Sequence, residues 1–264
     1  MSEPPSSVAG TADGLAGRTA LVTGAGTGMG AATALLLAEH GANVVVADLD
    51  DEAGRRTVEA IGSRGGSGHF VRADVSSEPD VAAMVAGVVE RFGKLDVAVN
   101  NAAVPPDSAP LADLDLDVFD RVIGVDLRGV AVCLKHEIRQ FLAQGGSGAI
   151  VNIGSISSVR VRANNAAYVA AKHGVVGLTK LAAVEYGAQG IRVNAVLPGA
   201  VDTPMIRRAR EASGIVPSDE YALSLFGRLG TPREIAEATV WLASDKASFV
   251  TGHCLAVDAG YLAR

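Results

Sequence analysis

Short apolar runs rich in β-branched residues recur along the chain, and longer stretches with helix-like spacing lie between them. The runs are Thr19–Val22, Asn43–Ala47, His69–Ala73, Leu95–Val99, Ala149–Ile153, Arg192–Leu197 and Cys254–Val257. Each is short and nearly continuous, which predicts strands buried on both faces. Between them, the spacing predicts helices after Gly30 as far as His40, over 51–63 and over 77–92. A long helix is expected from about Asp117 to Gln144, with a bend near Gly124 or Gly129. Thr231-Pro-Arg-Glu234 opens another, with Thr as N-cap and Pro in the first turn. Strands alternating with helices imply an α/β fold with a parallel sheet.

Composition narrows this further. At 264 residues, 48 % apolar and with 31 glycines, the chain suits one α/β domain with many tight strand–helix turns. A net charge of −6 argues against nucleic acid or an anionic membrane surface as partner. No run approaches the length of a membrane span. Residues 1–16, rich in Pro, Ser and Gly, are expected to be a loose tail rather than a secretory signal, with the domain at 17–264. Cys133 and Cys254 match no metal or redox spacing, so a reducing, cytoplasmic setting is expected. The histidines show no H-E-x-x-H pairing, and no catalytic metal is expected.

The first strand runs into Thr23-Gly-Ala-Gly-Thr-Gly-Met-Gly30 and then a helix. Strand, glycine turn and helix make the opening unit of a dinucleotide fold, which offers a helix N-terminus to a pyrophosphate. The second strand ends at Asp48, about where an acid bonds the adenosine ribose hydroxyls. Its carboxylate would repel a 2′-phosphate, and the glycine turn holds no Arg or Lys to receive one. NAD is therefore expected over NADP.

The densest chemistry lies between Ile150 and Lys172. Tyr168 and Lys172 stand four apart, neighbours on one helix face. A free phenol titrates near pH 10, and a neighbouring ammonium stabilises its phenolate, the tuning a general acid–base needs. Ser155, thirteen residues before Tyr168, ends a buried strand and is placed to bond the same substrate oxygen. No Gly-x-Ser-x-Gly elbow is present, which removes the α/β-hydrolase reading of Ser155.

Gly24-x-x-x-Gly28-x-Gly30, Asn100-Asn-Ala-Ala103, Ser155 and Tyr168-x-x-x-Lys172 together resemble the short-chain dehydrogenase/reductase family, over about residues 17–262. The resemblance implies a doubly wound (Rossmann) seven-stranded parallel sheet with helices on both faces. It also implies hydride transfer between NAD and a secondary alcohol or ketone. Tyr168 would carry the proton, Ser155 would bond the oxygen, and Lys172 would stabilise the phenolate and hold the ribose. The cofactor would meet Gly24, Thr27, Gly28, Met29 and Gly30, then Asp48 and Leu49, then Asp74 and Val75 at the adenine. Asn101 and Ala102 would line it, and Pro198, Val201 and Thr203 would cup the nicotinamide. Where the family has Asn, this chain has Asp126, a possible relay member separated from Lys172 by one water.

Residues 204–226 sit where a substrate lid would lie, with a largely apolar content suited to a small cyclic, aromatic, steroid-like or acyl substrate. Arg160, Arg162 and Asn165 would rim the pocket. Gly174 and Gly177 imply close approach of another helix, in this family often a subunit partner, so a homotetramer is expected. Two rivals remain at this stage. Extended relatives, epimerases or dehydratases, need a C-terminal domain for which this length leaves no room. A non-catalytic nucleotide-sensing or scaffold protein would keep the fold without turnover.

Overall fold

The computed structural model describes residues 13–213 and 224–264, with only the backbone of 209–213. Seven parallel strands form one sheet in the order β3-β2-β1-β4-β5-β6-β7. They are β1 (Thr19–Thr23), β2 (Asn43–Asp48), β3 (Ser67–Arg72), β4 (Val97–Asn100), β5 (Gly148–Ile153), β6 (Ile191–Pro198) and β7 (Cys254–Val257). The helices are α1 (Gly28–Glu39), α2 (Asp51–Gly62), α3 (Glu78–Phe92), α4 (Leu116–Ile123), α5 (Val130–Ala143), α6 (Ala166–Tyr186), α7 (Pro204–Ser213) and α8 (Pro232–Ala243).

The apolar runs are continuous because both sheet faces are covered. Ala20, Val22, Val44 and Val46 pack with Leu36 and Leu37 of α1 and Ile235 and Val240 of α8. Leu21, Val45, Ala98 and Ile150 point the other way, among Met84 and Val88 of α3, Ile138 and Phe141 of α5, and Val175 of α6. Alternation with period two therefore feeds two apolar layers instead of one apolar layer and solvent. β1 lies between β2 and β4, so the sheet's order reverses direction there, and a cleft opens at the carboxyl ends of its central strands.

Some boundaries differ from the sequence reading. Leu95 is buried but stands before β4, because the Gln144 side chain takes its backbone: Leu95 N donates to Gln144 Oε1 at 3.2 Å, and Gln144 Nε2 donates to the Leu95 carbonyl. The long helix is two helices joined by a π-helical turn, Gly124–Gly129. At Gly129 a Cβ would come within 3.0 Å of Val75, so glycine permits the close pass there. The widened turn buries Asp126 completely. Asp13 and Leu15, expected in the loose tail, belong to the folded body. Leu15 is buried in the core, and Asp13 pairs with His40 at 2.5 Å and with Lys246.

Candidate active site

The glycine turn is held shut from β4. Asn101 Nδ2 donates to the carbonyls of Thr23 and Gly24, both at 3.0 Å. Thr23 Oγ1 accepts from Asn101 N and Ala102 N at 3.0 and 3.1 Å. A Cβ on Gly24 would fall 2.7 Å from Ala102 Cα, and one on Gly30 would fall 2.2 Å from the Gly24 carbonyl oxygen. These two glycines serve close packing, and Gly30 lies off the cleft wall.

Gly28 differs. It starts α1 with φ +58°, and the nearest atoms to a Cβ there would be those of Thr203 and Pro204, from 3.5 Å, across the cleft. Neither a side-chain cap nor an acidic residue occupies the first turn of α1. Free amides and an open cradle at a helix N-terminus fit a pyrophosphate.

Asp48 reaches the same cleft. Its Oδ2 accepts from Gly26 N at 2.7 Å and its Oδ1 from Asp50 N at 3.0 Å. Capping of α2 falls to Asp50, which accepts from Ala53 N at 3.0 Å, so Asp48 is spared that duty. Thr27, Met29, Leu49, Asp74, Val75, Asn101, Ala102 and Thr203 also line the cleft. Pro198 and Val201 do not line it. Pro198 ends β6, and Val201 is buried in a bridge to Gly230. The lining further includes Ala103 of the Asn100–Ala103 motif, Met205 of the expected lid, and Val104, Val125 and Gly154, to which the sequence reading gave no role.

At the other end of the cleft, β5 leads into Gly154, which lines it, and Ser155, which is buried and is not among the lining residues. Ser155 caps a 3-10 turn by accepting from Ser157 N at 3.1 Å. Its own hydroxyl hydrogen has no acceptor among the described residues and is free to be donated. Tyr168 lines the cleft half-buried, one helical turn from Lys172, whose Nζ lies 5.4 Å from the phenol ring centroid. Lys172 is buried and donates to the Ile153 carbonyl at 3.3 Å.

Asp126 departs from the expected placement. Its Oδ2 stands 3.3 Å from Lys172 Nζ, a direct ion pair with no room for an intervening water. The contact is chiefly an ion pair, with no well-aligned hydrogen bond to Oδ2, while Oδ1 accepts from Val104 N at 2.9 Å. Burial raises the Asp126 carboxyl above the ordinary range, against the pull of Lys172 and the Val104 amide. Burial also works to lower Lys172, but the Asp126 carboxylate and the Tyr168 phenolate outweigh it and hold the ammonium above its usual value.

Other expected rim and contact residues resolve differently. Arg160 turns to the C-terminus, donating to the Arg264 carbonyl at 3.1 Å and lying 4.9 Å over the Tyr261 ring. Arg162 is exposed, and neither arginine lines the cleft. Asn165 donates to the carbonyls of Asp107 and Asn164. Gly174 allows close approach within the chain: a Cβ there would fall 2.6 Å from Leu127 of the π turn. Gly177 has open space beside it. Of the expected lid, residues 214–223 lie outside those described. Arg207 pairs with Asp202 through two bonds at 2.8 and 2.9 Å on the surface.

Asp107 lies in Pro105–Pro110, which in sequence reads only as a stiff loop, either a wall of the substrate site or a connector. Asp107 is buried, and its carboxylate accepts from Ala167 N and Tyr168 N at 3.2 Å each. Its sequence neighbours gave no sign of this beyond a stiff Pro-Pro-Asp-Ser-Ala-Pro loop, because the partner lies sixty residues away.

Residues 24–262 match the family profile described as enoyl-(acyl carrier protein) reductase. The chain is 50 % identical to a short chain dehydrogenase/reductase of Aspergillus oryzae, over 93 % of this chain and 95 % of that one. It is 48 % identical to cis-4-hydroxycyclohexanecarboxylate dehydrogenase of Sinomonas cyclohexanicum, over 95 % and 99 %. Identity to 2,5-dichloro-2,5-cyclohexadiene-1,4-diol dehydrogenase of Sphingobium indicum is 46 %, over 94 % and 98 %. Among solved structures, levodione reductase superposes with a TM-score of 0.90 at 36 % identity, over 94 % of this chain and 98 % of that one. An Agrobacterium tumefaciens protein described as a 2-deoxy-D-gluconate 3-dehydrogenase, with bound NADP, superposes at 0.86 and 37 % identity, over 95 % and 98 %. With its parallel sheet, its glycine turn and its Tyr–Lys pair on one cleft, this chain is an oxidoreductase of the short-chain dehydrogenase/reductase family.

Proposed function

We propose that this chain interconverts an alicyclic secondary alcohol and its ketone, with NAD as hydride carrier. The observation that carries the reaction is the half-buried Tyr168 beside the buried Lys172 ammonium, on a cleft whose far end is the Gly28 cradle. Oxidation removes a hydride from carbon and a proton from oxygen. The nicotinamide supplies the hydride acceptor, and the residues of the chain handle the proton. Tyr168 takes it as phenolate, Lys172 stabilises that phenolate, and the free Ser155 hydroxyl donates to the substrate oxygen. The alicyclic class rests on relatives named for cyclohexane and cyclohexadiene alcohols, and on apolar lining by Val104, Val125 and Met205. The scaffold reading has no observation behind it, since Ser155, Tyr168 and Lys172 are all present in the chain.

NAD, rather than NADP, rests on Asp48. Its carboxylate stands at the cleft with no capping role, and no Arg or Lys of the glycine turn faces a 2′-phosphate. One structural neighbour is described with bound NADP, so the preference for NAD rests on this strand end alone. Fluorescence titration is expected to show NADH binding at least about tenfold tighter than NADPH, roughly 1.4 kcal/mol. Equal affinities would remove the role given to Asp48.

Asp126 tempers the site. In contact with Lys172, its carboxylate cancels part of the field that stabilises the Tyr168 phenolate. Asp126→Asn should therefore fold, remain active, and move the rising limb of kcat/KM for alcohol oxidation to lower pH. Profiles of both proteins between about pH 6 and 10 read this. A limb that stays put would show that Asp126 acts on Lys172 without reaching Tyr168.

A cytoplasmic homotetramer completes the reading. No helix among the described residues is long and apolar enough to cross a membrane. On α6, Gly177 is open and Leu181 and Val184 are 52 % and 85 % exposed, apolar surface suited to a second copy. Light scattering that gave a clean monomer near 26.8 kDa would count against it.

A further inference from the structure

The helix that carries Tyr168 and Lys172 does not cap itself. Asn165 occupies the N-cap position of α6 with φ −132° and ψ 49°, and its side chain accepts no bond from the helix. The first turn contains no acidic residue. Its amides nevertheless face into the protein, where an unpaired N–H is costly.

The missing acceptor comes from the loop after β4. Asp107 Oδ2 accepts from Ala167 N and Oδ1 from Tyr168 N, both at 3.2 Å, and the residue is 5 % exposed. Its main-chain carbonyl accepts from Asn165 Nδ2, so one residue holds both the N-cap and the turn behind it. Pro105 and Pro106 stiffen the approach to it. A carboxylate here satisfies two orphan donors and complements the helix dipole.

The same loop has two more anchors. Asn101 ties its beginning to the glycine turn, and Val104 N donates to Asp126, the counter-ion of Lys172. The stretch 101–107 thus touches the cofactor cradle, the charge partner of Lys172 and the backbone of Tyr168.

We propose that Asp107 is a positioning residue, whose carboxylate fixes the Tyr168 backbone relative to the cofactor cleft. One of the two amides it holds is that of Tyr168 itself, so the constraint acts on the proton-carrying residue directly. The proposal rests on the role given to Tyr168 above. Misplacement of a reacting group by about 1 Å costs up to about 10²-fold in rate.

The test is kinetic, with local amide exchange alongside. Asp107→Ala is expected to lower kcat by about tenfold or more, with KM for NAD and NADH affinity unchanged. Hydrogen exchange should accelerate at residues 167–169 and stay as in the parent at the glycine turn. Asp107→Asn retains one acceptor oxygen and should recover part of the lost kcat. It also carries the test if the alanine variant does not fold. Then a kcat below the parent's at unchanged NADH affinity supports the proposal, and a parental kcat overturns it. In the double variant with Tyr168→Phe, kcat should fall no further than with Tyr168→Phe alone. Faster exchange at 167–169 with an unchanged kcat would overturn the proposal and leave Asp107 a structural cap. Fully multiplicative losses in the double variant would overturn it too, because Asp107 would then act independently of Tyr168. A fully active Tyr168→Phe would instead refute the catalytic reading itself, a result distinct from either.

Discussion

Tyr168→Phe should lower kcat for alcohol oxidation by about 10²-fold or more, while NADH binding stays close to that of the parent. The substitution removes one oxygen and keeps the ring that lines the cleft. The residues that shape the cofactor end, Gly28, Asp48 and Asn101, belong to other elements, and among the described residues none of them bonds the phenol. The loss therefore falls on proton transfer. Lys172 keeps its ion pair with Asp126, and an ammonium held in that form has no lone pair with which to act as the base. Stopped-flow or steady-state rates beside an NADH titration separate the two effects. Near-parental turnover would mean that another group carries the proton.

A second large effect lies away from the cleft. Glu137 of α5 is completely buried, its Oε2 accepting from Asn100 Nδ2 at 3.0 Å. Asn100 Nδ2 also donates to Asn152 at 3.0 Å, and Asn152 donates to Thr179 at 2.9 Å, a polar line across β4, β5 and α6. Glu137 Oε1 and Asn100 Oδ1 are left without partners. Among the described residues no cation pairs with the carboxylate, and burial pushes it up from 4.5 to about 7, against the pull of the Asn100 amide.

Folding is linked to pH accordingly. Below about pH 4.5 both folded and unfolded chains keep the proton, and the contribution to stability is whole. As pH rises from 4.5 toward 7 the unfolded chain releases its proton while the folded one retains it, and stability falls. Above about 7 the loss levels off, at about 3 kcal/mol. Glu137→Gln is neutral throughout, and its amide is able to donate where Oε1 stands idle. It should match the parent near pH 4.5 and exceed it by several degrees in Tm at pH 8, roughly 5 °C or more. Parallel Tm curves for the two proteins would show that Glu137 is solvated or paired in the folded chain.

The architecture was legible because its signals are local. Seven apolar runs, a glycine turn after the first and a Tyr–Lys pair at helical spacing each occupy one short stretch, and each became the element expected. Features that depend on contacts across the chain were not. Asp126 was recognised as a departure, but its direct contact with Lys172 depends on a π turn that no helix periodicity announces. Gly174 was tied to a subunit partner, yet its neighbour is Leu127 of the same chain. Asp107 caps a helix sixty residues on, and Glu137 looks in sequence like any helix-face carboxylate. Only the fold brings such pairs together.

The central claim is that the Tyr168 cleft oxidises an alicyclic secondary alcohol with NAD. It is tested most directly by following nicotinamide absorbance when the purified chain is mixed with NAD and cyclohexanol, with other ring alcohols and their ketones as companions. The proposed mechanism predicts NADH formation in proportion to the protein added, at least about tenfold slower in kcat/KM with NADP. Protein that binds NADH, yet neither reduces NAD with any of these alcohols nor oxidises NADH with the ketones, would contradict it.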